Sequence, residues 1–160
     1  MRKVNIQDVP TDPWASPKRK FACISRGISL ALGRREGSDL KSESPPFDLE
    51  LCTIQAGAAM CPYHSHSAQW ELYVVVSGRG QMRAADGLSE VGPGDAFIFP
   101  PGEPHQLIAP GPEDFVVYII ADNPVSDACY YPDSDKWLIP TSTKRHVIKG
   151  ASVDYLDGEE

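Results

Sequence analysis

From Phe47 onward, apolar residues come in short runs: FDLELCTIQAG, ELYVVVSGRG, GQMRAA, GDAFIFPPG, HQLIAPG and DFVVYIIA. Each run is rich in β-branched or aromatic residues and is closed by Gly, Pro, Asp or Asn, the punctuation of strands. None sustains a helical period over about ten residues, so no amphipathic helix is predicted. An earlier run, KFACISRGISLAL, also reads as short strands. Short strands at this turn spacing predict an all-β sandwich or barrel. Alternation along a strand puts Glu71, Tyr73 and Val75 on one face and Leu72, Val74 and Val76 on the other. Both faces of that run are largely apolar, which predicts packing on both sides, as in a barrel wall against a second sheet.

The flanks read differently. Residues 1–20 hold Pro10, Pro13 and Pro17 and are predicted to be an irregular N-terminal arm, with Lys18, Arg19 and Lys20 a solvated cluster. Residues 33–46, GRREGSDLKSESPP, read as an exposed loop. Residues 21–150 are expected to form one barrel domain with a C-terminal extension, and 151–160 an acidic tail. No internal repeat is evident.

Charge narrows the function classes. With 15 Lys and Arg against 22 Asp and Glu, the net charge is -7, opposite in sign to the field that nucleic acids or anionic membranes attract. Neither is expected as a partner. There is no apolar run long enough for a membrane helix and no apolar leader, so a cytoplasmic setting is expected. Cys23, Cys52, Cys61 and Cys129 are scattered without a CxxC pair, which predicts free thiols in a reducing compartment.

Chemistry concentrates in the histidines. The chain has 4 of them, and two lie in CPYHSHSAQWE. In an extended segment His64 and His66 share a face, while Cys61 and Tyr63 take the opposite one, away from any ion. Two imidazoles and Glu71 from the next strand could hold a divalent ion, or they could be rim residues bonded to backbone and water. GDAFIFPPGEPHQ then adds His105 behind the tight turn of Pro100, Pro101 and Gly102.

These two segments resemble the two signatures of the cupin superfamily. Gly57, His64, His66, Glu71 and Gly78 match the first, and Gly94, Pro100, Gly102 and His105 the second. The resemblance implies a double-stranded β-helix, or jelly-roll β-barrel, in which His64, His66, Glu71 and His105 hold one divalent transition metal ion (Fe, Mn, Ni or Zn). The spacing from Gly57 to His64 is one residue longer than usual, and Ala109 stands where the second signature often ends in asparagine. Neither departure removes a ligand. The family spans dioxygenases, isomerases, decarboxylases and lyases, and also storage and sensing proteins.

Pocket candidates follow from position. Tyr73 shares the face of Glu71 and is either the catalytic phenol or barrel core. Gln69 lies in the turn beside the ligands, Met82 lines the interior if Arg83 faces out, and Phe97 and Phe99 share one face as pocket or core aromatics. In ACYYPDSDKW, Lys136 or Trp137 could face an anionic substrate from a segment closing over the site; otherwise Trp137 anchors a surface loop. The expected function is a metal-dependent enzyme, a dioxygenase or an isomerase or lyase, acting on a small carbonyl- or carboxylate-bearing molecule. A metal-assisted binding or regulatory module without turnover is the alternative. A homodimer is expected from the family's habit of pairing outer sheet faces or exchanging N-terminal segments.

Overall fold

A computed structural model of the chain describes residues 1–35, 45, 47–124, 127–141 and 144–159. A 3-10 turn at Ile6–Asp8 precedes strands β1 (Asp12–Ala15) and β2 (Ala22–Gly27), a one-turn helix α1 (Ile28–Ala31), and β3 (Asp48–Ile54). The central run is β4 (Ser65–His66), β5 (Glu71–Ser77), β6 (Gly80–Ala84), β7 (Gly87–Val91), β8 (Ala96–Phe99), β9 (Gln106–Ile108) and β10 (Phe115–Ala121). β11 (Cys129–Tyr131), β12 (Lys136–Pro140) and β13 (Arg145–Ile148) follow.

The strands form a six-stranded sheet in the order β1-β2-β3-β10-β5-β8, a three-stranded sheet β7-β6-β9 and a four-stranded sheet β13-β12-β11-β4. The chain from Ala58 to His64 joins the two smaller sheets: Ala109 N–H donates to Ala58 O, Met60 N–H donates to Leu107 O, and His64 and His105 exchange a pair of backbone hydrogen bonds. The arrangement resembles a double-stranded β-helix. Among the described residues no sheet closes on itself by an unbroken ladder.

The core lies between the sheets, built from Cys52, Ile54, Tyr73, Val75, Val91, Phe99, Leu107, Phe115 and Val117. Alternation works on β5 as the sequence implies: Glu71, Tyr73 and Val75 are buried, while Leu72 and Val74 are half-buried outside and Val76 is exposed. On β3 the polarity is inverted. Asp48, Glu50, Cys52 and Ile54 share the inner face, and Leu49, Leu51 and Thr53 the outer. Register explains this, because Cys52 and Ile54 stand opposite the fully buried Val117 and Phe115 of β10, which fixes the parity of the whole strand. Asp48 is tolerated inside because Ser29, Arg34 (3.0 Å) and Asn123 (2.8 Å) all donate to its carboxylate.

Two expectations at the N-terminal end need correction. The first twenty residues are not wholly irregular, since β1 pairs with β2 from Asp12↔Ser25 to Ala15↔Ala22 and extends the large sheet. The stretch ISLAL does not continue as strand: α1 turns the chain there, with Leu32 N–H donating to Ile28 O. The predicted loop 33–46 falls mostly outside the described residues. Residues 151–159 are exposed.

Candidate metal centre

Each donor is set by a local backbone device. Glu71 opens β5 and faces inward beside Phe99 of β8. His64 and His105 face each other across a two-way backbone bridge, His64 N–H to His105 O at 3.1 Å and His105 N–H to His64 O at 2.8 Å. His66 is held on β4, and its carbonyl accepts from Gly102 N–H at 2.8 Å. Gly102 has φ +87, a left-handed conformation that glycine adopts without strain. That one bond ties the proline–glycine turn before His105 to the strand carrying His66.

The side chains converge. One ligand atom from each of His64, His66, Glu71 and His105 lies within 4.8 Å of the others. His64 Nε2 is 3.0 Å from His66 Nε2, and Glu71 Oε2 is 2.7 Å from His105 Nε2 and 3.5 Å from His66 Nε2. The opposite ring nitrogens are all engaged. Nδ1–H of His64 donates to Pro62 O at 2.9 Å, and Nδ1–H of His105 to Glu103 O at 3.1 Å. His66 Nδ1–H donates to Asp127 Oδ2 at 2.5 Å. Carbonyls and carboxylates only accept, so these partners place a proton on each Nδ1 and leave each Nε2 as the atom turned to the common centre. Three imidazoles with one carboxylate are a donor set suited to a divalent transition metal.

Electrostatics follows from burial. Burial, helped by the neighbouring His105 charge, pulls the His64 imidazole down to about 4 and keeps it neutral. At His66 burial also works downward, but hydrogen bonds with Asp127, Cys129 and Glu71 outweigh it and push the imidazole up to about 12. Burial works upward on Glu71, yet its bonds to His105 and His66 hold it well below the usual carboxylate range. Binding an ion at these nitrogens releases whatever protons they carry.

The other predicted residues separate into groups. Gln69 Nε2 donates to Glu71 Oε1 at 3.0 Å, and Tyr73 OH donates to Glu71 Oε2 at 2.7 Å. Both therefore orient the carboxylate, and Tyr73 OH also lies 3.3 Å from His105 Nε2, at the donor cluster itself. Tyr73 is fully buried, and burial with the Glu71 charge raises its phenol well above the ordinary value. Phe99 stacks on His105 at 4.2 Å between ring centres, and Phe97 stacks on Tyr73 at 5.4 Å. Met82 packs against the core, while Arg83 faces out over the Tyr63 ring and pairs with Asp133.

Lys136 and Trp137 part company because they alternate on β12. Lys136 Nζ lies 5.0 Å above the Tyr131 ring, which itself stacks on His64. Trp137 goes to the opposite face, 42% exposed and packed on Tyr130, so it is not brought to the site. Cys61 also departs from expectation. Its Sγ lies 3.5 Å from His64 Nδ1, because residues 61–64 bend at Pro62 rather than run as a regular strand.

Two residues near the site were not singled out by sequence. Asp127 accepts from Ala68 N–H at 2.8 Å and Gln69 N–H at 3.2 Å as well as from His66, fastening the turn between β4 and β5. Cys129 Sγ sits 3.6 Å from His66 Nδ1. No local pattern marks Asp127, whose partners lie about sixty positions away. A surface recess of about 560 Å³ is lined by residues including Ile6, Leu51 and Tyr118, on the outer face of the large sheet away from these donors.

Fold and donors together define a β protein with a His/Glu cluster able to hold a metal ion. Residues 50–121 match the cupin domain family, which places that stretch of the chain in the cupin superfamily. No curated protein matches it in sequence. Among solved structures it is similar to a protein of Acidithiobacillus ferrooxidans provisionally named a sugar phosphate isomerase, with 21% identity, 94% of this chain and 92% of that one covered, and TM-score 0.80. It is also similar to a sugar phosphate isomerase from a cupin superfamily from Silicibacter pomeroyi, with 18% identity, coverage of 96% and 97%, and TM-score 0.79. The polyketide cyclase RemF of Streptomyces resistomycificus aligns with 20% identity, coverage of 100% and 94%, and TM-score 0.60. At these identities the likeness is one of fold.

Proposed function

We propose that the chain is a metal-dependent enzyme of the isomerase or lyase type, moving a proton on a small polar molecule that bears a carbonyl or carboxylate. The observation that carries this is the convergence of three Nε2 atoms and the Glu71 carboxylate, with every opposite ring nitrogen occupied. His64, His66, Glu71 and His105 are the residues that hold the ion. Bound there, a divalent ion supplies Lewis acidity to a substrate oxygen.

Proton transfer needs a second group, and Glu50 is the best candidate. It belongs to the inner cross-strand row Glu50–Ile119–Tyr73–Phe97, adjacent to the row that holds Glu71. Burial, then the charge of Asp48, raises its carboxyl above the ordinary value. A carboxyl whose affinity for a proton moves toward neutrality gives and takes one more readily at working pH. Tyr73 spends its hydroxyl on Glu71, so its role is to hold that carboxylate in position. Two of the similar structures carry the name sugar phosphate isomerase, and isomerisation of that kind is a proton transfer.

Elemental analysis of protein purified without added metal is expected to give one ion per chain, and His105→Ala to lose most of it while remaining folded. Full occupancy in His105→Ala would overturn the ligand set. Substrate-dependent oxygen uptake in a screen of oxo acids, diketones and sugar phosphates would replace the isomerase reading by a dioxygenase. A cytoplasmic setting is in keeping with four free thiols and with the absence, among the described residues, of any helix long and apolar enough to cross a membrane. A homodimer through the outer face of the large sheet completes the proposal.

A further inference from the structure

The C-terminal sheet has one face turned toward the donors. Cys129 and Tyr131 of β11 lie on it, beside His66 and His64. Register carries that face across: Tyr131 stands opposite Lys136, Cys129 opposite Leu138, and Pro140 opposite Arg145. Alternation therefore groups Tyr131, Lys136 and Arg145 together and sends Tyr130, Trp137 and His146 to the other side. The Tyr131 ring centre is 6.0 Å from that of His64, and Lys136 Nζ is 5.0 Å from the Tyr131 ring. Arg145, opposite Pro140, stands on that same face four positions along β12 from Lys136.

The acids of this region are committed elsewhere. Asp133 forms a two-pronged pair with Arg83 at 2.7 and 2.8 Å. Asp135 accepts from Tyr130 OH at 3.0 Å, and Asp127 is taken up by His66 and the turn amides. Among the described residues Lys136 and Arg145 have no acidic partner. In a chain of net charge -7, two cations without an acidic partner among the described residues share with Tyr131 the face turned toward the donors.

We infer that Lys136, Arg145 and the Tyr131 hydroxyl form an oxyanion subsite, seating a phosphate or carboxylate group of the substrate while its other end reaches the metal donors. This rests on the proposed metal-site function and narrows the substrate class to anionic carbonyl compounds. Lysine supplies a compact charge and arginine a flat fork suited to oxyanions. The Tyr131 hydroxyl adds a neutral donor beside Lys136.

The test is calorimetric titration of the full chain, metal-free and Mn(II)-loaded, with inorganic phosphate and separately with acetate. Wild type is expected to bind one of the two, and the tighter one identifies phosphate or carboxylate as the natural group. Lys136→Met and Arg145→Ala are each expected to weaken that binding roughly tenfold or more, the scale of a lost charge-assisted hydrogen bond. Lys18→Ala, with the same change in net charge, is expected to leave it unaltered. Circular dichroism confirms that each variant is folded. Equal binding by wild type, Lys136→Met and Arg145→Ala, or no binding of either anion by wild type, overturns the inference. The metal-free titration uses no ion, so failure of the ligand set shows separately, as lost Mn(II) retention with anion binding intact.

Discussion

Asp127 shapes what His66 can offer an ion. A carboxylate 2.5 Å from Nδ1 fixes the ring's tautomer and raises the electron density at Nε2. Asp127→Asn keeps an oxygen for the amides of Ala68 and Gln69 but removes the charge, and is expected to lower metal affinity about 10–100-fold. Competition against a chromophoric chelator reads this, and an unchanged affinity would reduce Asp127 to a loop tie. At Glu50 the raised carboxyl has a signed consequence for stability. The folded state favours the protonated form, so ionisation costs stability as pH rises through the folded value. Glu50→Gln is then expected to melt higher than wild type at alkaline pH, with the difference closing as the pH falls below the ordinary carboxylate value. Melting curves across that range check it, and a gap independent of pH would contradict the inward placement. Glu50 escaped sequence reading because DLELCTI advertises Leu49 and Leu51 as the inner residues, and only register against β10 reveals the reverse. Cys61 was misplaced for a related reason, since parity arguments fail where a proline bend replaces a strand.

Strands were legible wherever the backbone is regular. The inner row of β5 and the turn of Pro100 to Gly102 follow from spacing, because alternation and turn chemistry are local properties, while the four donors were reached only through the resemblance to the cupin signatures. β1 and α1 were not legible: one is stabilised by pairing with β2, the other by packing on β3, and both are decided far from their own residues. The turn between β5 and β6 depends on Gly78, which has φ +76 and packs so closely that a Cβ would collide with the Asp114 carbonyl oxygen. Gly78→Ala is expected to cost about 1–3 kcal/mol from backbone strain alone, more once Asp114 is displaced. Urea denaturation measures the loss, and a midpoint equal to wild type would mean that the turn relaxes freely. The hairpin of β11 and β12 is fastened more lightly, by two residue pairs with β4 and by the exposed Arg83–Asp133 pair, an interaction worth about 0–1 kcal/mol.

At the scale of the whole molecule, the outer face of the large sheet stands out. Its cross-strand row Leu49–Ile120–Leu72–Ile98 is apolar from β3 to β8, and Ile98 is 52% exposed. A row of this kind is suited to a copy of itself, because a two-fold pairing matches one patch with the same patch. Light scattering at micromolar concentration is expected to give twice the chain mass for wild type and the single mass for Leu72→Glu. A monomeric wild type would end the dimer proposal.

The family match stops at residue 121, yet the carboxylate behind His66 and the whole face beside His64 come from residues 127–145. The matched stretch supplies the donors, and the residues after it supply their tuning and surroundings. Substitution confined to that later segment would change what meets the ion while leaving the residues that hold it untouched. Grafting residues 127–150 from a structural relative onto this chain is the laboratory form of that change.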